Sequence, residues 1–167
     1  MSDYDADYWI AALELSEHPE GGYYRRVYQS EESIPAPALP ERFGGDTRLF
    51  ASAIHYLIKA GRPSRLHRIK SDELWYFHTG SPVRLHLFSP DGKREDRWLG
   101  PDPDRGQVWQ TAVPHGHWFA ADVPAGDFAL CGCTVAPGFE FVDLELADRE
   151  RLQAAFPAHR TLIERLT

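Results

Sequence analysis

One stretch of the chain constrains the fold more than any other: GRPSRLHRIKSDELWYFHTG, residues 61–80. Two alternating segments, SRLHRI and ELWYFH, flank the polar turn KSD, which is typical of a β-hairpin. Because side chains alternate along a strand, His67 and Ile69 share one face of the first strand. Glu73 begins the second strand, and cross-strand neighbours lie roughly 5 Å apart. The stretch therefore predicts a hairpin whose inner face carries one histidine and one glutamate.

The remainder of the chain predicts an all-β domain with helical ends. Short strands separated by Gly, Pro and Asp follow one another from residue 49 to residue 146, which is typical of a sandwich or small barrel. Residues 5–15 and the segment after Asp148 have helical patterns, with Asp148 as an N-cap. Residues 31–47 are rich in Pro, Gly and acids and predict a loop. With no linker or repeat, we expect a single domain over residues 1–167.

Composition excludes several classes of function. The net charge of −7 argues against nucleic-acid binding, which needs a basic face. No apolar run approaches the roughly 18 residues of a membrane span. The N-terminus is acidic before its apolar part, unlike a secretory signal. We therefore expect a cytoplasmic protein whose partner is a small molecule, with neither nucleic acid nor membrane as a partner.

The spacing of the opening stretch resembles the first motif of the cupin superfamily, G-x5-H-x-H-x3-E-x6-G. Gly61, His67, Glu73 and Gly80 match it, and Ile69 stands where the second histidine is expected. The second cupin motif, G-x5-P-x-G-x2-H-x3-N, is matched in part.

That second motif is matched at Pro114 and Gly116, whereas Phe119 replaces its histidine and Val123 its asparagine. The resemblance implies a metal held by three His and one Glu, of which two ligands are hydrophobic here. Two ligands are too few for a tight divalent site, so we expect no metal cofactor. The alternative is a divalent transition metal bound by His67, Glu73 and His117.

The whole chain is similar to a family of small cupins. The segments that carry the resemblance are HPEGGYYRRVY, SAIHYLI, HRIKSDELWYFHTG, VPHGHWFAA and GCTVAPGFEFVDLEL. The resemblance implies an all-β cupin double-stranded β-helix, or jelly roll, with short N- and C-terminal helices. It also implies a homodimer formed through a sheet edge, and it implies a fold rather than a reaction.

A more distant resemblance concerns EGGYYRRVY, which is similar to a strand of the dTDP-sugar 3,5-epimerases. Those cupins use no metal, a barrel histidine as base and a tyrosine as acid. The resemblance implies His67 as a catalytic base, Glu73 as its orienting partner, and Tyr28 or Tyr24 as a possible acid.

Substrate-binding residues are predicted from charge and from the inner face. The family resemblance implies Arg25 as the anchor for an anionic substrate. Tyr24 and Arg65, which lies beside His67, are further substrate-binding candidates. Aromatic rings could form a stacking wall for a ring-shaped ligand, although ordinary core packing is an equal alternative. The aromatic residues in question are Trp75, Phe77, Trp118 and Phe119.

Three functions remain open from the sequence. The first is metal-independent acid–base chemistry of the epimerase or isomerase type on a small polar metabolite, sugar-like or anionic. The second is a metal-dependent cupin enzyme, a dioxygenase or isomerase, using His67 and Glu73. The third is a non-catalytic module that binds a small molecule.

Overall fold

The computed structural model describes residues 4–167. Within that range the chain forms strands β1 to β14 and helices α1 to α3. The strands are β1 (Ser16–Glu17), β2 (Tyr23–Gln29), β3 (Ser33–Ile34), β4 (Arg48–Leu49), β5 (Ser52–Lys59), β6 (Ser64–Arg68), β7 (Asp72–Gly80), β8 (Val83–Phe88), β9 (Arg94–Leu99), β10 (Gln107–Val108), β11 (Gln110–Val113), β12 (Trp118–Asp122), β13 (Phe128–Ala136) and β14 (Glu145–Leu146). The helices are α1 (Ala6–Ala12), α2 (Arg149–Ala155) and α3 (Arg160–Leu166).

Two sheets of six strands each make up the body of the molecule. The first has the order β1-β2-β5-β13-β7-β11, and the second has the order β10-β9-β8-β12-β6-β14. Neighbouring strands are antiparallel except β9 and β10. The two faces pack on each other, which buries one side of each sheet. The predicted all-β architecture with short terminal helices is confirmed.

The core between the sheets is built from large apolar side chains at alternate strand positions. Tyr56, Trp75, Phe119 and Leu85 are almost fully buried there. Helix α1 packs on the outer face of the first sheet, and α2 and α3 pack on the outer face of the second. None of the helices within residues 4–167 is both long enough and apolar enough to span a bilayer.

Helix α1 is shorter than the sequence pattern predicts. Asp5 caps its N-terminus by accepting a hydrogen bond from the Tyr8 N–H at 2.8 Å. The helix ends at Ala12 rather than at residue 15, because Glu14 adopts a left-handed backbone with φ 51°. Asp148 caps α2, as predicted, by accepting from the Arg151 N–H.

A charged network lies on the outer side of the second sheet, beside α3. Buried His86 has its Nε2 3.1 Å from Asp122 Oδ1 and its Nδ1 3.0 Å from Asp96 Oδ1. Arg165 of α3 and Arg84 of β8 donate to the Asp122 carboxylate at 2.7 and 3.2 Å. Burial alone would raise the pKa of Asp122, but the hydrogen bonds from His86, Arg84 and Arg165 hold that pKa well below its usual range.

Candidate functional site

A small cavity lies between the sheets, at the end of the barrel near β2, β6 and β7. Its volume is about 40 Å³. Its polar wall is formed by His18, Glu20, Tyr24, Arg26, Ser52, His67 and Glu73. Its apolar wall is formed by Ile54, Ile69, Cys133, Val135 and Phe139. Both members of the predicted His–Glu pair therefore line one cavity. They do so from different sheets, because β6 pairs with β12 and β14 while β7 pairs with β13 and β11, so the hairpin expected for residues 61–80 is wrong.

A β-bulge in β6 decides which of its side chains face inward. The strand pairs His67 with Phe119 and Ser64 with Ala121, so two residues of β6 lie opposite one residue of β12. Ser64 and His67 consequently both reach the interior although they are three residues apart. Arg65 falls on the outside, where its guanidinium donates to the Pro19 carbonyl at 2.6 Å. The expectation that Arg65 lies at the site is wrong, because strict alternation does not survive the bulge.

The turn after β1 brings a second carboxylate into the cavity. Gly21 has φ 110°, and a Cβ there would lie 2.5 Å from the Pro63 carbonyl oxygen, so only glycine allows this close approach to β6. The buried Tyr56 hydroxyl donates to the Gly21 carbonyl at 2.6 Å. These contacts fix the turn and direct the Glu20 side chain, 7% exposed, toward His67.

Glu20, rather than Glu73, is the partner of His67. Glu20 Oε2 lies 3.1 Å from His67 Nε2, and Ser64 Oγ donates to Glu20 Oε1 at 3.0 Å. His67 Nδ1 lies 2.7 Å from the Arg65 carbonyl oxygen, which can only accept, so Nδ1 carries a proton. The Nε2–Oε2 contact is an ion pair when His67 is protonated. The expectation that Glu73 orients His67 is wrong for this reason.

His18 is neutral beside this pair. The Glu20 N–H donates to His18 Nδ1 at 3.3 Å, so that nitrogen is an acceptor. The 3.6 Å approach of Nδ1 to Glu20 Oε2 is therefore not an ion pair. Burial lowers the pKa of His18, and the nearby His67 lowers it further, while Glu20 opposes the shift.

Glu73 is a protonated carboxylic acid at neutral pH. Its side chain is buried on the inner face of β7, and burial together with the charge of Glu20 raises its pKa from 4.5 to about 8. The Cys133 thiol and the Trp75 indole oppose this shift. The effect of Trp75 is the smaller of the two, and its Nε1 has no hydrogen-bond partner among the described residues. Burial and Glu73 raise the pKa of Cys133 well above its usual range, so the thiol is not an activated nucleophile.

A second bulge, in β2, decides which of its side chains face the cavity after Arg26. Arg26 pairs with Ile54 and Tyr28 with Ala53, so Val27 is an extra residue in the strand. Tyr24 and Arg26 line the cavity, whereas Tyr28 is 54% exposed and faces away. Tyr28 therefore does not reach the site.

Arg25 is also outside the cavity. Its guanidinium pairs with Glu14 at 2.5 Å on the side of the sheet that carries α1. The alternation of the strand was predicted, but its inward face carries Arg26 rather than Arg25. Arg26 thus occupies the position at the cavity that was expected for Arg25.

The predicted aromatic wall is not formed. Trp75, Phe77 and Phe119 pack in the core beneath the cavity, with Phe119 4.1 Å from the His67 ring. Trp118 lies on the outer face, where the Arg68 guanidinium covers its ring at 4.5 Å. The aromatic rings that line the cavity belong to Tyr24 and Phe139.

The residues do not fit the metal cage of the cupin motifs. Ile69 and Phe119 present hydrocarbon at two ligand positions, and His117 lies in the turn before β12, away from the cavity lining. No group of three or more His, Cys, Asp and Glu side chains in the described part of the chain converges as a metal site would require. Ile69 also lines a separate outer groove beside Lys70 and His115, so this residue borders both the groove and the cavity.

Sequence reasoning missed His18, Glu20 and Arg26. A signal for the first two exists in HPEGG, where a carboxylate lies between a proline and two glycines in a tight turn. Such a turn can hold a side chain in a fixed direction. The distance in sequence between Glu20 and His67 nevertheless hides their contact.

Comparison with known proteins agrees with this architecture. The model of a protein family described as "Cupin superfamily (DUF985)" matches residues 7–147. Protein SO0799 of Shewanella oneidensis has a similar crystal structure, with 37% identity, a TM-score of 0.88 and 98% of each chain covered. A hypothetical protein from Leishmania major is similar at 30% identity and a TM-score of 0.88, over 98% of this chain and 99% of that one.

A more distant similarity shows the fold alone. Oxalate decarboxylase from Bacillus subtilis is similar at 16% identity with a TM-score of 0.54, covering 90% of this chain and 36% of the decarboxylase. A search of curated proteins found no significant relative. These comparisons show no link to the sugar epimerases.

Proposed function

Because this chain belongs to the DUF985 family of the cupin superfamily, we propose that its barrel cavity performs metal-independent acid–base chemistry of the isomerase type on a small anionic metabolite. The observation that supports this most is the pair of unequal carboxyl groups in one cavity. Glu73 is neutral, with a pKa of about 8, while Glu20 is engaged by His67 and Ser64. Two carboxyls whose environments separate their protonation states are suited to act as acid and base.

The base in this proposal is the Glu20 carboxylate, and His67 is its positioning residue. Both ring nitrogens of His67 are engaged, one by the Arg65 carbonyl and one by Glu20. A carboxylate has about four lone-pair sites, so Glu20 retains accepting capacity beyond His67 and Ser64. This reverses the roles expected from the sequence, in which the histidine is the base and a carboxylate orients it.

The proposed step moves two protons and no electrons to or from an external acceptor. Glu20 removes a proton from the carbon next to a substrate carbonyl, and Glu73 gives its proton to the carbonyl oxygen, which forms an enol. Return of a proton to carbon, with return of the oxygen-bound proton to Glu73, gives the isomer. Each positioned group contributes about 10²- to 10⁴-fold in such reactions.

Arg26 is the proposed anchor for the substrate's negative charge. It donates to Gln29 Oε1 at 3.1 Å and to the Phe139 carbonyl at 3.3 Å. No carboxylate among residues 4–167 pairs with it. An unpaired guanidinium at a cavity mouth suits a carboxylate or phosphate.

Deuterium exchange tests the proposal without a known substrate. Pools of small 2-oxo acids, 2-hydroxy acids and sugars are incubated with the protein in D₂O, and mass spectrometry detects deuterium at carbon. We expect exchange that falls about 100-fold or more in Glu20→Gln and in Glu73→Gln. Glu164→Gln, a matched change on the exposed surface of α3, should leave exchange intact.

Other outcomes separate the alternatives. A ligand that stabilises the fold but is recovered without deuterium would indicate a binding module instead. Exchange that survives both cavity variants would contradict the acid–base assignment. Stoichiometric Fe, Mn, Ni or Zn in the purified protein, measured by elemental analysis, would favour a metal-dependent enzyme.

A further inference from the structure

The cavity is too small to hold a whole metabolite. Its volume of about 40 Å³ has room for a functional group of a few atoms, whereas pockets that enclose complete ligands measure roughly 300–1,000 Å³. A groove of about 420 Å³ adjoins it on the protein surface. Tyr24 and Arg26 line both the cavity and the groove, so a ligand whose head is in the cavity has its tail in the groove.

The groove contains one cation and one anion that are not neutralised by an ion pair within residues 4–167. Arg26 and Glu140 both line it, and neither forms an ion pair within the described residues. The neighbouring Arg25 and Glu14 neutralise each other at 2.5 Å. The charges of Arg26 and Glu140 are therefore available to a ligand that carries one charge of each sign.

The same groove is also lined by an exposed aromatic side chain. Phe141 is 49% exposed, and its ring stacks at 5.9 Å on the ring of His18, with Phe139 packed against its edge. A large exposed aromatic at the mouth of a cavity is typical of a ligand-contacting side chain. The groove thus combines a guanidinium, a carboxylate and an aromatic surface.

We propose that the groove recognises a zwitterionic, amino-acid-like tail, with its carboxylate on Arg26 and its ammonium on Glu140. The aliphatic part of the ligand lies on Phe141 and Tyr24. This inference rests on the proposed function only in placing the reacting head of the ligand in the cavity. It narrows the substrate class from small anionic metabolites to those that also carry an amino group.

Matched probes test the charge requirement. Binding is measured by saturation-transfer NMR and calorimetry for alanine, for propionate, which lacks the amino group, and for ethylamine, which lacks the carboxylate. β-Alanine and γ-aminobutyrate vary the distance between the two charges. We expect at least one zwitterion to bind about tenfold more tightly than either matched single-charge probe.

Variants locate the effect. Arg26→Gln should reduce zwitterion binding about tenfold and leave ethylamine binding unchanged, and Glu140→Gln should do the same while sparing propionate. Arg160→Gln and Glu164→Gln, on the exposed surface of α3, are controls that should change nothing. Equal affinity for the single-charge probes and the zwitterions would overturn the inference. Zwitterion binding that neither groove variant changes would also overturn it.

The two proposals fail in different ways. Glu73→Gln removes the cavity acid and leaves the groove intact, so zwitterion selectivity should persist in that variant. Selectivity without any deuterium exchange would leave the groove inference standing and remove the proposed reaction. Deuterium exchange on substrates without an amino group, unaffected by Glu140→Gln, would support the proposed reaction and contradict the groove inference.

Discussion

Two buried clusters in this protein combine a histidine with carboxylates, and they differ in how their charge is compensated. On the outer side of the second sheet, Asp122 receives hydrogen bonds from His86, Arg84 and Arg165. In the cavity, Glu73 forms no ion pair with any residue that the structure describes, and Glu20 contacts His67 and Ser64. The first cluster lowers a carboxyl pKa and the second raises one.

The difference separates a structural cluster from a candidate reactive one. A buried carboxylate that arginines surround is stabilised in its charged form and has no capacity left for a ligand. A buried carboxyl without a cation is costly to ionise, and it therefore keeps a proton that it can give away. The same residue types thus indicate function only when the compensating charge is absent.

Removing the outer carboxylate should have the largest effect on stability. Asp122→Ala leaves His86 and Arg84 without their shared anion, so we expect the free energy of unfolding at pH 7 to fall by about 3 kcal/mol. Urea denaturation measures the change, and Asp104→Ala, at an exposed position, is the matched control. A loss no greater than that of the control would mean that Asp122 is not structural.

The Glu73 carboxyl should make the free energy of unfolding decrease as the pH rises, which is opposite to the pH dependence expected of Asp122. The folded state holds a proton on Glu73 up to a pKa of about 8, whereas the unfolded chain releases it near 4.5. Between these values the folded state binds more protons, so stability falls as the pH rises, by up to about 1.4 kcal/mol per pH unit. Glu73→Gln should remove this slope when unfolding is measured from pH 5 to pH 8.

The Asp122 cluster provides the contrasting titration. Its pKa is depressed, so the stability it contributes is present above pH 3.8 and is lost as the pH falls below that value. Glu73→Gln should leave this loss of stability at low pH unchanged. A variant that altered the pH dependence both below pH 3.8 and between pH 5 and pH 8 would show that the two clusters are coupled.

The charge of Glu20 should account for part of the Glu73 shift. Glu20→Gln removes that negative charge, so we expect the pKa of Glu73 to decrease while remaining above 4.5, because burial is the larger cause. Carboxyl-detected ¹³C NMR titration measures the midpoint. An unchanged midpoint would show that Glu20 carries no full charge next to Glu73.

The smallest effect is expected on the outer side of β2. Arg25 and Glu14 have side chains that are 49% and 75% exposed, so solvent screens their ion pair. Arg25→Gln should change the free energy of unfolding by about 0.5 kcal/mol or less in urea denaturation. A loss comparable to that of Asp122→Ala would place this arginine among the structural residues.

The sequence predicted the parts of the site that depend on local spacing. The inward direction of Glu73, Trp75 and Phe77 follows from alternation along β7, which the structure shows as a regular buried pattern. The expectations for Arg65 and Tyr28 are wrong because each lies at or beyond a bulge, where one extra residue reverses the alternation. Nothing in the local pattern of either strand marks those bulges.

The features of the site that the sequence did not predict depend on contacts between distant parts of the chain. Glu20 reaches His67 only because a turn packs its backbone against Pro63, through the glycine at position 21. The choice between Arg25 and Arg26 depends on which face of β2 meets α1, and Glu14 beyond that helix is the partner that holds Arg25. Contacts between separate elements have no periodic signature within one strand, so a single sequence does not reveal them.

The position of Ile69 affects the route by which a small molecule can reach the cavity. Ile69 lines both the inner cavity and the groove beside Lys70, at a position where the cupin motif has a polar ligand. A hydrocarbon side chain at this border leaves the groove lined by Tyr24 and Arg26 as the route by which a small molecule would reach the cavity. Ile69→Gly would remove that side chain and open a second route, so a ligand of the cavity should associate and dissociate faster in that variant.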